Sequence, residues 1–351
     1  MKIKRKIRVL VVDDSMLFRK TISAGLESDP SFEVVGTASN PYEARDKILE
    51  LRPDVMTLDV EMPRMTGIEF LKKLIPQYPL PVVMISSADI KVFDAVNSGA
   101  VDFIEKPKIK DKRELESFYK ELILKVKIAS TARINNKKIK KKKHTIKKVT
   151  SQNFKSNNHI IAIGASTGGT EAVYSIIKAF TKDMPPILIV QHMPPVFTQM
   201  YSERLNKNCS LYVKEAADGD VIEAGKVYIA KGGFQMKVIT KGSKKIISIY
   251  DGDKVNGHRP SVDPMFNTVA DIYGPTSIGV ILTGMGTDGA KGLLKMKKKG
   301  AFTIGQDEES CIVYGMPKVA YNIGAVSIQK DISEIPSEII EHLSRLRRRK
   351  K

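Results

Sequence analysis

The chain of 351 residues is 42% hydrophobic and 28% charged, an ordinary globular composition that excludes a wholly disordered or fibrous protein. Its length favours two domains over one. Two cysteines, Cys209 and Cys311, are too few for a disulfide framework and are predicted to be buried thiols.

The net charge of +19 is concentrated in residues 1–8, in residues 131–158 and in the tail from Arg345, so the remaining chain is close to neutral. A nucleic-acid reader usually carries its positive charge on a folded face, so we expect no specific nucleic-acid partner. No stretch reaches the roughly 20 apolar residues of a membrane span. We therefore expect a cytoplasmic protein.

A lysine-rich segment, residues 129–158, lacks apolar periodicity and is predicted to be a flexible linker. It separates a first domain, residues 1–128, from a second domain, residues 159–346, and a basic tail follows at residues 347–351. The lysines are interpreted mainly as solvated charge. A weak electrostatic attraction to acidic protein or membrane surfaces is the alternative.

In the first domain, short apolar runs alternate with helical patterns. The predicted strands are Ile7–Asp13, Phe32–Thr37, Val55–Asp59, Val82–Ser86 and Val101–Ile104. The predicted helices begin near Met16, Pro41, Gly67, Asp89 and Glu114. This alternation predicts a doubly wound, flavodoxin-like sheet of five parallel strands with helices on both faces.

The second domain shows a similar alternation and is predicted to be α/β with a mainly parallel sheet. Its buried strands are Ile160–Ile163, Ile187–Val190, Ile278–Leu282 and Ala301–Ile304. A β-rich insertion that includes a hairpin is predicted from three further runs: Val227–Ala230, Lys237–Ile239 and Ile246–Tyr250.

Three acids follow strands of the first predicted sheet: Asp13 and Asp14 end the first strand, and Asp59 ends the third. The carboxyl ends of parallel strands meet at one edge, where three carboxylates would repel each other without a cation. The pattern therefore predicts a Mg²⁺ site. Ser86 and Lys106, at the ends of the fourth and fifth strands, could bind phosphoryl oxygens delivered to Asp59 as a nucleophile.

The motifs VVDDS, LDVEMP, MISS and DFIEKP resemble the receiver domains of two-component response regulators over residues 7 to about 128. The resemblance implies that Asp59 is phosphorylated and that Lys106–Pro107 is a cis peptide. It also implies that Mg²⁺ is bound by Asp14, Asp59 and the Glu61 carbonyl, with Asp13 in support. Ser86 and Lys106 are implied to contact the phosphoryl group.

The first strand of the second domain leads into a glycine-rich turn, residues 164–169, before a helical pattern. One interpretation is a phosphate cradle of a dinucleotide fold, although the G-x-G-x-x-G spacing is missing. The other is a G-x-S-x-G turn that presents Ser166 as a nucleophile. Either signal alone is weak.

A nucleophilic serine needs a base, and the base needs an orienting carboxylate. His192 follows the strand Ile187–Val190, and Asp288 follows the strand Ile278–Leu282. Both are therefore expected at the same edge as Ser166. His258 is the rival base. The order of serine, histidine and aspartate along the chain differs from that of α/β-hydrolases.

The motifs GASTGG, QHMPP, LTGMGTDGA, HRPSVD and GQDEESCIVYGMP, behind a receiver, resemble the chemotaxis response-regulator protein-glutamate methylesterase (CheB) family. The resemblance covers both domains. It implies a phosphorylation-regulated serine hydrolase that releases methanol from glutamate γ-methyl esters of chemoreceptors and deamidates receptor glutamines. The residues that it carries over are the triad Ser166, His192 and Asp288, with Thr167, Met285 and Arg259 at the oxyanion and substrate cleft.

The family also implies a chemotaxis histidine kinase as phosphodonor, no cofactor in the catalytic domain, and a receiver that covers the catalytic cleft until Asp59 is phosphorylated. The sequence departs from the family at three places. The stretch from Ser86 to Gly99 is several residues short. The usual P-G-G-x-H-M turn has Gln235 in place of histidine, which leaves the role of that loop open, and Thr66 stands where receivers often have Asp.

Two alternatives belong to other functional classes. A response-regulator transcription factor would explain a receiver combined with basic charge, but no short helix-turn-helix segment follows the linker. A nucleotide-binding oxidoreductase would explain the glycine-rich turn at residues 164–169.

Overall fold

The computed structural model describes residues 5–87, 98–107, 111–132 and 158–348. The chain forms two compact units, residues 1–140 and 141–351, and each is described by itself. None of the helices in the described ranges has an apolar stretch of membrane-spanning length.

The first unit contains a sheet of five parallel strands in the order β2-β1-β3-β4-β5. Its strands are β1 Ile7–Val12, β2 Phe32–Ala38, β3 Val55–Asp59, β4 Val82–Ser86 and β5 Asp102–Glu105. Its described helices are α1 Met16–Glu27, α2 Pro41–Leu51, α3 Gly67–Leu74 and α4 Lys112–Ala129. This confirms the predicted doubly wound fold, while the helix predicted near Asp89 lies outside the described residues.

Polar side chains at the N-termini explain where these helices begin. The Ser15 hydroxyl accepts a hydrogen bond from the backbone of α1, and Asn40 does the same for α2. Thr66, at the position where receivers often have Asp, caps α3 and forms a reciprocal capping box with Glu69. The substitution therefore preserves the start of α3.

The second unit contains a sheet of seven parallel strands in the order β14-β13-β12-β6-β7-β9-β8. They are β6 Ile160–Ala165, β7 Ile187–Gln191, β8 Tyr212–Glu215, β9 Lys226–Ile229, β12 Ser277–Ile281, β13 Phe302–Gln306 and β14 Ile328–Lys330. The helices are α5 Gly169–Lys178, α6 Phe197–Asn208, α7 Val262–Tyr273, α8 Ala290–Lys298, α9 Met316–Asn322 and α10 Ile335–Arg348.

The predicted insertion is only partly correct. Strands β10 Gln235–Lys241 and β11 Lys244–Tyr250 form the separate antiparallel hairpin. The run Val227–Ala230, which was assigned to the insertion, instead forms β9 of the main sheet and pairs in parallel with β7 and β8. The prediction grouped this run with the hairpin because the two are close in sequence. Its pairing partners, β7 and β8, lie earlier in the chain.

The two cysteines are free thiols. Cys311 is buried, as predicted, whereas Cys209 is only half-buried after the end of α6. Burial raises the pKa of Cys209 to about 11, so its thiolate is scarce at neutral pH.

Candidate active site and phosphorylation site

Ser166 lies in the sharp turn between β6 and α5. Its backbone N–H donates to the Thr283 carbonyl at 3.0 Å, and its carbonyl accepts from Gly169 at 2.7 Å. Gly168 has φ 76°, a conformation that favours glycine, and α5 begins directly after it. A Cβ at Gly284 would lie 2.6 Å from the Ser166 Cβ, so glycine at 284 permits the close approach of the loop after β12.

His192 lies beside Ser166 on the next strand. The parallel register pairs Ala165 with Gln191, so Ser166 and His192 follow at the carboxyl ends of neighbouring strands. The His192 backbone donates to the Ala165 carbonyl at 3.1 Å, and the buried Gln191 side chain donates to the Ser166 carbonyl at 2.9 Å. Sequence analysis did not single out Gln191, although QHMPP contains it.

The imidazole of His192 is paired on one side only. Its Nε2 lies 2.8 Å from Oδ2 of Asp288, a carboxylate that is 1% exposed. Its Nδ1 is buried and has no hydrogen-bond partner among the described residues. If Nε2 carries the proton that Asp288 accepts, Nδ1 has the lone pair that a hydroxyl could use. His192 and Asp288 are therefore hydrogen-bonded, whereas the Ser166 hydroxyl and the His192 ring are not.

Asp288 accepts an unusually large set of hydrogen bonds. Besides His192, the donors are the Ser261 hydroxyl at 2.6 Å, the Asn256 amide at 2.8 Å, and the backbone N–H groups of Val262 at 2.7 Å, Gly289 at 3.0 Å and Asp263 at 3.3 Å. Burial raises the pKa of Asp288, but the bonds and charge of His192 outweigh it and hold the pKa well below its usual range. Asp288 is therefore ionised at neutral pH.

The support around Asp288 comes mainly from the N-terminus of α7, whose backbone N–H groups favour a negative charge. None of these donors was predicted from the sequence. Three of them lie in the HRPSVD motif and Gly289 lies in LTGMGTDGA, whereas Asn256 lies two residues before HRPSVD.

The predicted phosphorylation site is assembled at the carboxyl edge of the first sheet. Oxygens of Asp13, Asp14 and Asp59 lie within 4.8 Å of one another. The Lys106 ammonium lies 2.7 Å from Asp59 and 2.9 Å from Asp13. Burial raises the pKa of Asp59 to about 6, against the opposing hydrogen bond from Lys106. Three close carboxylates are the hard oxygen donors that Mg²⁺ prefers, so the residues fit that ion.

Other predictions at this edge have mixed outcomes. The Ser86 hydroxyl is buried and donates to the Ser87 carbonyl at 2.8 Å. The backbone N–H of Glu61 donates to Asp59 at 3.4 Å. The Lys106–Pro107 peptide is not cis, so that expectation is wrong; the cis peptide in the described ranges is Arg259–Pro260. Arg19, which was not predicted from the sequence, donates to the backbone carbonyls of Asp13 and Asp14.

Residues 161–339 match the family model of the CheB methylesterase, and residues 9–118 match that of the response regulator receiver domain. The protein-glutamate methylesterase/protein-glutamine glutaminase 2 of Syntrophomonas wolfei is 53% identical, over 97% of this chain and 99% of that protein. The crystal structure of the Thermotoga maritima CheB methylesterase catalytic domain is similar with 42% identity and a TM-score of 0.51, covering 52% of this chain and 97% of that one. The chain belongs to the CheB family.

This family member is therefore a methylesterase/glutaminase with a response regulator receiver domain, and the receiver places the hydrolase under phosphorylation control. The protein-glutamate methylesterase/protein-glutamine glutaminase of Syntrophotalea carbinolica is also similar, at 50% identity over 98% of this chain and 99% of that protein. The transcription-factor and oxidoreductase interpretations are wrong, because the methylesterase model covers the segment that either would need.

The rival base of the methylesterase, His258, lies against His192 rather than replacing it. The two rings are stacked with centroids 3.7 Å apart and an interplanar angle of 12°. Burial, followed by the charge of His192, lowers the pKa of His258 to about 4, so this imidazole is neutral at pH 7.

The predicted cleft residues are positioned less uniformly. Met285 is 45% exposed, and Thr167 is buried. The guanidinium of Arg259 pairs with the Asp251 carboxylate and donates to the Gly252 carbonyl at 3.0 Å. The guanidinium of Arg259 is therefore paired within its own loop, whereas its carbonyl accepts from the Gly233 backbone at 3.2 Å.

Proposed function

We propose that this methylesterase uses Ser166 as its nucleophile, His192 as its general base and Asp288 as the carboxylate that orients the base. The observation that carries the proposal is a histidine whose side chain is 8% exposed, is bonded to a buried aspartate through Nε2 and retains an unpartnered, buried Nδ1 beside the serine turn. The substrates would be glutamate γ-methyl esters, and glutamines, of methyl-accepting chemotaxis receptors.

In the proposed reaction, Nδ1 of His192 takes the hydroxyl proton as the Ser166 oxygen attacks the ester carbonyl. Asp288 keeps the Nε2–H tautomer and stabilises the imidazolium that forms. The imidazolium then protonates the leaving methanol, or ammonia from a glutamine. Water, activated by the same base, hydrolyses the acyl-enzyme and leaves a glutamate.

The oxyanion would be held by backbone N–H groups near the serine. The N–H of Met285 is a candidate, because it donates no hydrogen bond to any described residue and follows the close approach of Gly284 to Ser166. The N–H of Thr167, next to the nucleophile, is the second candidate. Arg259 would line the edge of the cleft, where its guanidinium would exchange the pair with Asp251 for an acidic group of the substrate. Loss of one oxyanion donor typically costs about 2.7–4 kcal/mol of transition-state stabilisation.

The proposal is tested by measuring methanol release from methylated receptor membranes. The wild-type chain should release methanol, and the Ser166→Ala variant should not do so above the rate without enzyme. Equal rates of methanol release by the two proteins would refute the proposal.

We further propose that the receiver is phosphorylated on Asp59 by a chemotaxis histidine kinase. Mg²⁺ held by Asp14, Asp59 and the Glu61 carbonyl, with Asp13 in support, would neutralise charge on the phosphoryl group. Lys106 would contact phosphoryl oxygens, because its ammonium already lies 2.7 Å from the Asp59 carboxylate. The Ser86 hydroxyl would exchange its bond to the Ser87 carbonyl for a phosphoryl oxygen.

The Asp59→Asn variant should lose stimulation by a small-molecule phosphodonor such as acetyl phosphate. In the wild-type chain, phosphodonor and Mg²⁺ should raise methanol release by about 5- to 150-fold, the usual range of coupling between two sites. The amide of the variant is a poor nucleophile and cannot form the acyl phosphate. Asp46→Asn, at an exposed acid on α2, is the control and should respond like the wild type. Stimulation of Asp59→Asn to the wild-type level would contradict the assignment.

The domain limits that we propose are 1–128 for the receiver, 129–158 for the linker, 159–346 for the catalytic domain and 347–351 for the tail, in a cytoplasmic protein. Most of the linker lies outside the described residues. Its lysines would attract acidic receptor or membrane surfaces through long-range electrostatics.

Replacing Lys140 to Lys143 with glutamine should lower the demethylation rate on receptor membranes at low salt only. Salt at 0.15 M shortens electrostatic reach to about 8 Å, so the two proteins should converge as salt is added. A small soluble methyl ester is the control substrate, and its hydrolysis should not change. An unchanged rate on membranes at low salt would leave the linker without this role.

A further inference from the structure

Residues Val255 to His258 form a tight turn directly over the His192–Asp288 pair. The backbones of Val255 and His258 exchange two hydrogen bonds, of 3.0 and 2.9 Å. Between them, Asn256 and Gly257 both have positive φ, 53° and 82°. This is the geometry of a two-residue type I′ turn, for which Asn-Gly is the favoured sequence. We call these four residues the Asn-Gly turn.

Both polar side chains of the Asn-Gly turn contact the pair. The Asn256 amide donates one hydrogen to Oδ1 of Asp288 at 2.8 Å and one to Oδ2 of Asp263 at 2.7 Å. The ring of His258 covers one face of the His192 ring, with centroids 3.7 Å apart. The turn therefore contacts both the carboxylate and the imidazole.

The turn is anchored by Gln235, the residue that departs from the usual family motif. Gln235 is 1% exposed, and its Nε2 donates to the carbonyls of Asp253 at 3.0 Å and His258 at 3.1 Å. Its Oε1 accepts from the Ser261 backbone at 2.9 Å. One buried amide thus fixes the loop on both sides of the Asn-Gly turn, which gives a role to a position that the sequence left open.

We propose that the Asn-Gly turn is a positioning device for the proposed base, in which Asn256 fixes the Asp288 carboxylate and His258 fixes the plane of the His192 ring. The inference rests on the proposed function, since it assumes that His192 and Asp288 are the base and its orienting group. Neither Asn256 nor His258 would contact the reacting atoms.

The chemistry of the two side chains suits this role. Asp263 and Asp288 are neighbouring buried carboxylates, and the Asn256 amide supplies a donor to each without adding charge. An aspartate at 256 could not do this because it would add a third negative charge. His258 is neutral at pH 7, so its ring can cover the imidazole without repelling the imidazolium formed in the reaction.

The charged and polar groups around His192 determine how well the imidazolium formed in the reaction is stabilised. Asp288 faces it from the loop after β12 and His258 from the Asn-Gly turn, with Asp263 beyond the amide and Lys254 beside His258. Removal of the His258 ring admits water, which stabilises the imidazolium. Removal of the Asn256 amide leaves the negative charge of the two aspartates less compensated, and this also stabilises the imidazolium.

The test uses Asn256→Gly, His258→Ala and His258→Phe in the full chain, with methanol release followed against pH. Glycine keeps the positive φ and removes only the amide, so the turn should still form. Phenylalanine keeps a stacking ring and removes the nitrogens. The matched control is His342→Ala, which removes a histidine that stacks on Phe302 at 4.2 Å, away from this loop.

We expect Asn256→Gly and His258→Ala to lower kcat by about tenfold to a hundredfold, with KM within about twofold, because misplacement of the base slows chemistry rather than binding. The acidic limb of kcat/KM should move to higher pH in both variants. His258→Phe should restore most of the rate, and His342→Ala should match the wild type. A loss of folded protein would lower kcat/KM by the same factor at every pH and would not move the acidic limb.

The inference is overturned if Asn256→Gly and His258→Ala keep wild-type kcat and an unmoved pH profile while Ser166→Ala is inactive. Failure of His258→Phe to restore the rate lost in His258→Ala would overturn the stacking role. An active Ser166→Ala would instead refute the proposed function, so the two failures are distinguishable.

Discussion

Replacing Ser166 with alanine is expected to lower the rate of methanol release by about 10⁴- to 10⁶-fold, the range seen when a hydrolase loses its serine nucleophile. The hydroxyl oxygen would form the acyl bond, and an alanine side chain has no atom that can form it. The backbone should be unchanged, because Ser166 uses only its own main-chain atoms in its hydrogen bonds with Thr283, Gly169 and Gln191.

The control for this variant is Ser210→Ala, which removes a hydroxyl from an exposed position after α6. It should retain the wild-type rate. A rate for Ser166→Ala within tenfold of the wild type, measured on methylated receptor membranes, would contradict the assignment of the nucleophile. Thermal unfolding of both variants should have midpoints close to that of the wild type.

Replacing Asp288 with asparagine is the second large change, with an expected loss of about 10⁴-fold in kcat, as for a triad aspartate converted to its amide. An amide NH₂ can face Nε2 of His192 only if that nitrogen carries no proton. The imidazole then places its proton on Nδ1 and can no longer accept the proton of Ser166. The rate should be measured from pH 6 to 9, and we expect the loss to persist at every pH in this range.

The same variant should also be less stable at neutral pH and less sensitive to acid. The pKa of Asp288 is lowered on folding, so its contribution to stability is present above the unfolded value near 3.9 and is lost as pH falls below it. Asparagine lacks that contribution, and its NH₂ leaves buried donors without an acceptor at about 1–3 kcal/mol. Urea unfolding at pH 7 and at pH 3 measures both effects.

Asp271→Asn is the control for stability, because Asp271 forms a half-exposed ion pair with Lys295 on the surface. Exposed pairs contribute little, so this variant should change the free energy of unfolding by less than about 1 kcal/mol. An Asp288→Asn variant that kept both wild-type kcat and wild-type acid sensitivity would show that the carboxylate does not orient the base.

The strands that carry the candidate site could be predicted because they are buried on both faces and consist of continuous apolar runs. Ile160–Ala165, Ile187–Gln191 and Ser277–Ile281 are of this kind, and the residues after them meet at one edge. The edge strands β8 and β14 were not predicted, because they are short and carry polar residues. The pairing of β9 with β7 is a contact between distant parts of the chain, so the local pattern of apolar residues does not predict it.

The groups around Asp288 could not be predicted for a similar reason. A buried carboxylate needs donors, but the sequence does not say which of many serines and asparagines approach it in space. Ser261 lies 27 positions from Asp288, and Asn256 lies 32 positions away. The Asn-Gly pair does predict a hairpin turn, but not that its side chain reaches two aspartates.

Because Asp288 engages Nε2 of His192, the nitrogen left for the hydroxyl is the one nearest the main chain, the reverse of the serine-protease arrangement. Nδ1 is bonded directly to Cγ, so it lies closer to the Cα of His192 than Nε2 does. Ser166 and His192 follow neighbouring strands that pair in register, and such strands are about 4.8 Å apart. A spacing this short would suit the nearer ring nitrogen as the proton acceptor and leave the farther one for the carboxylate.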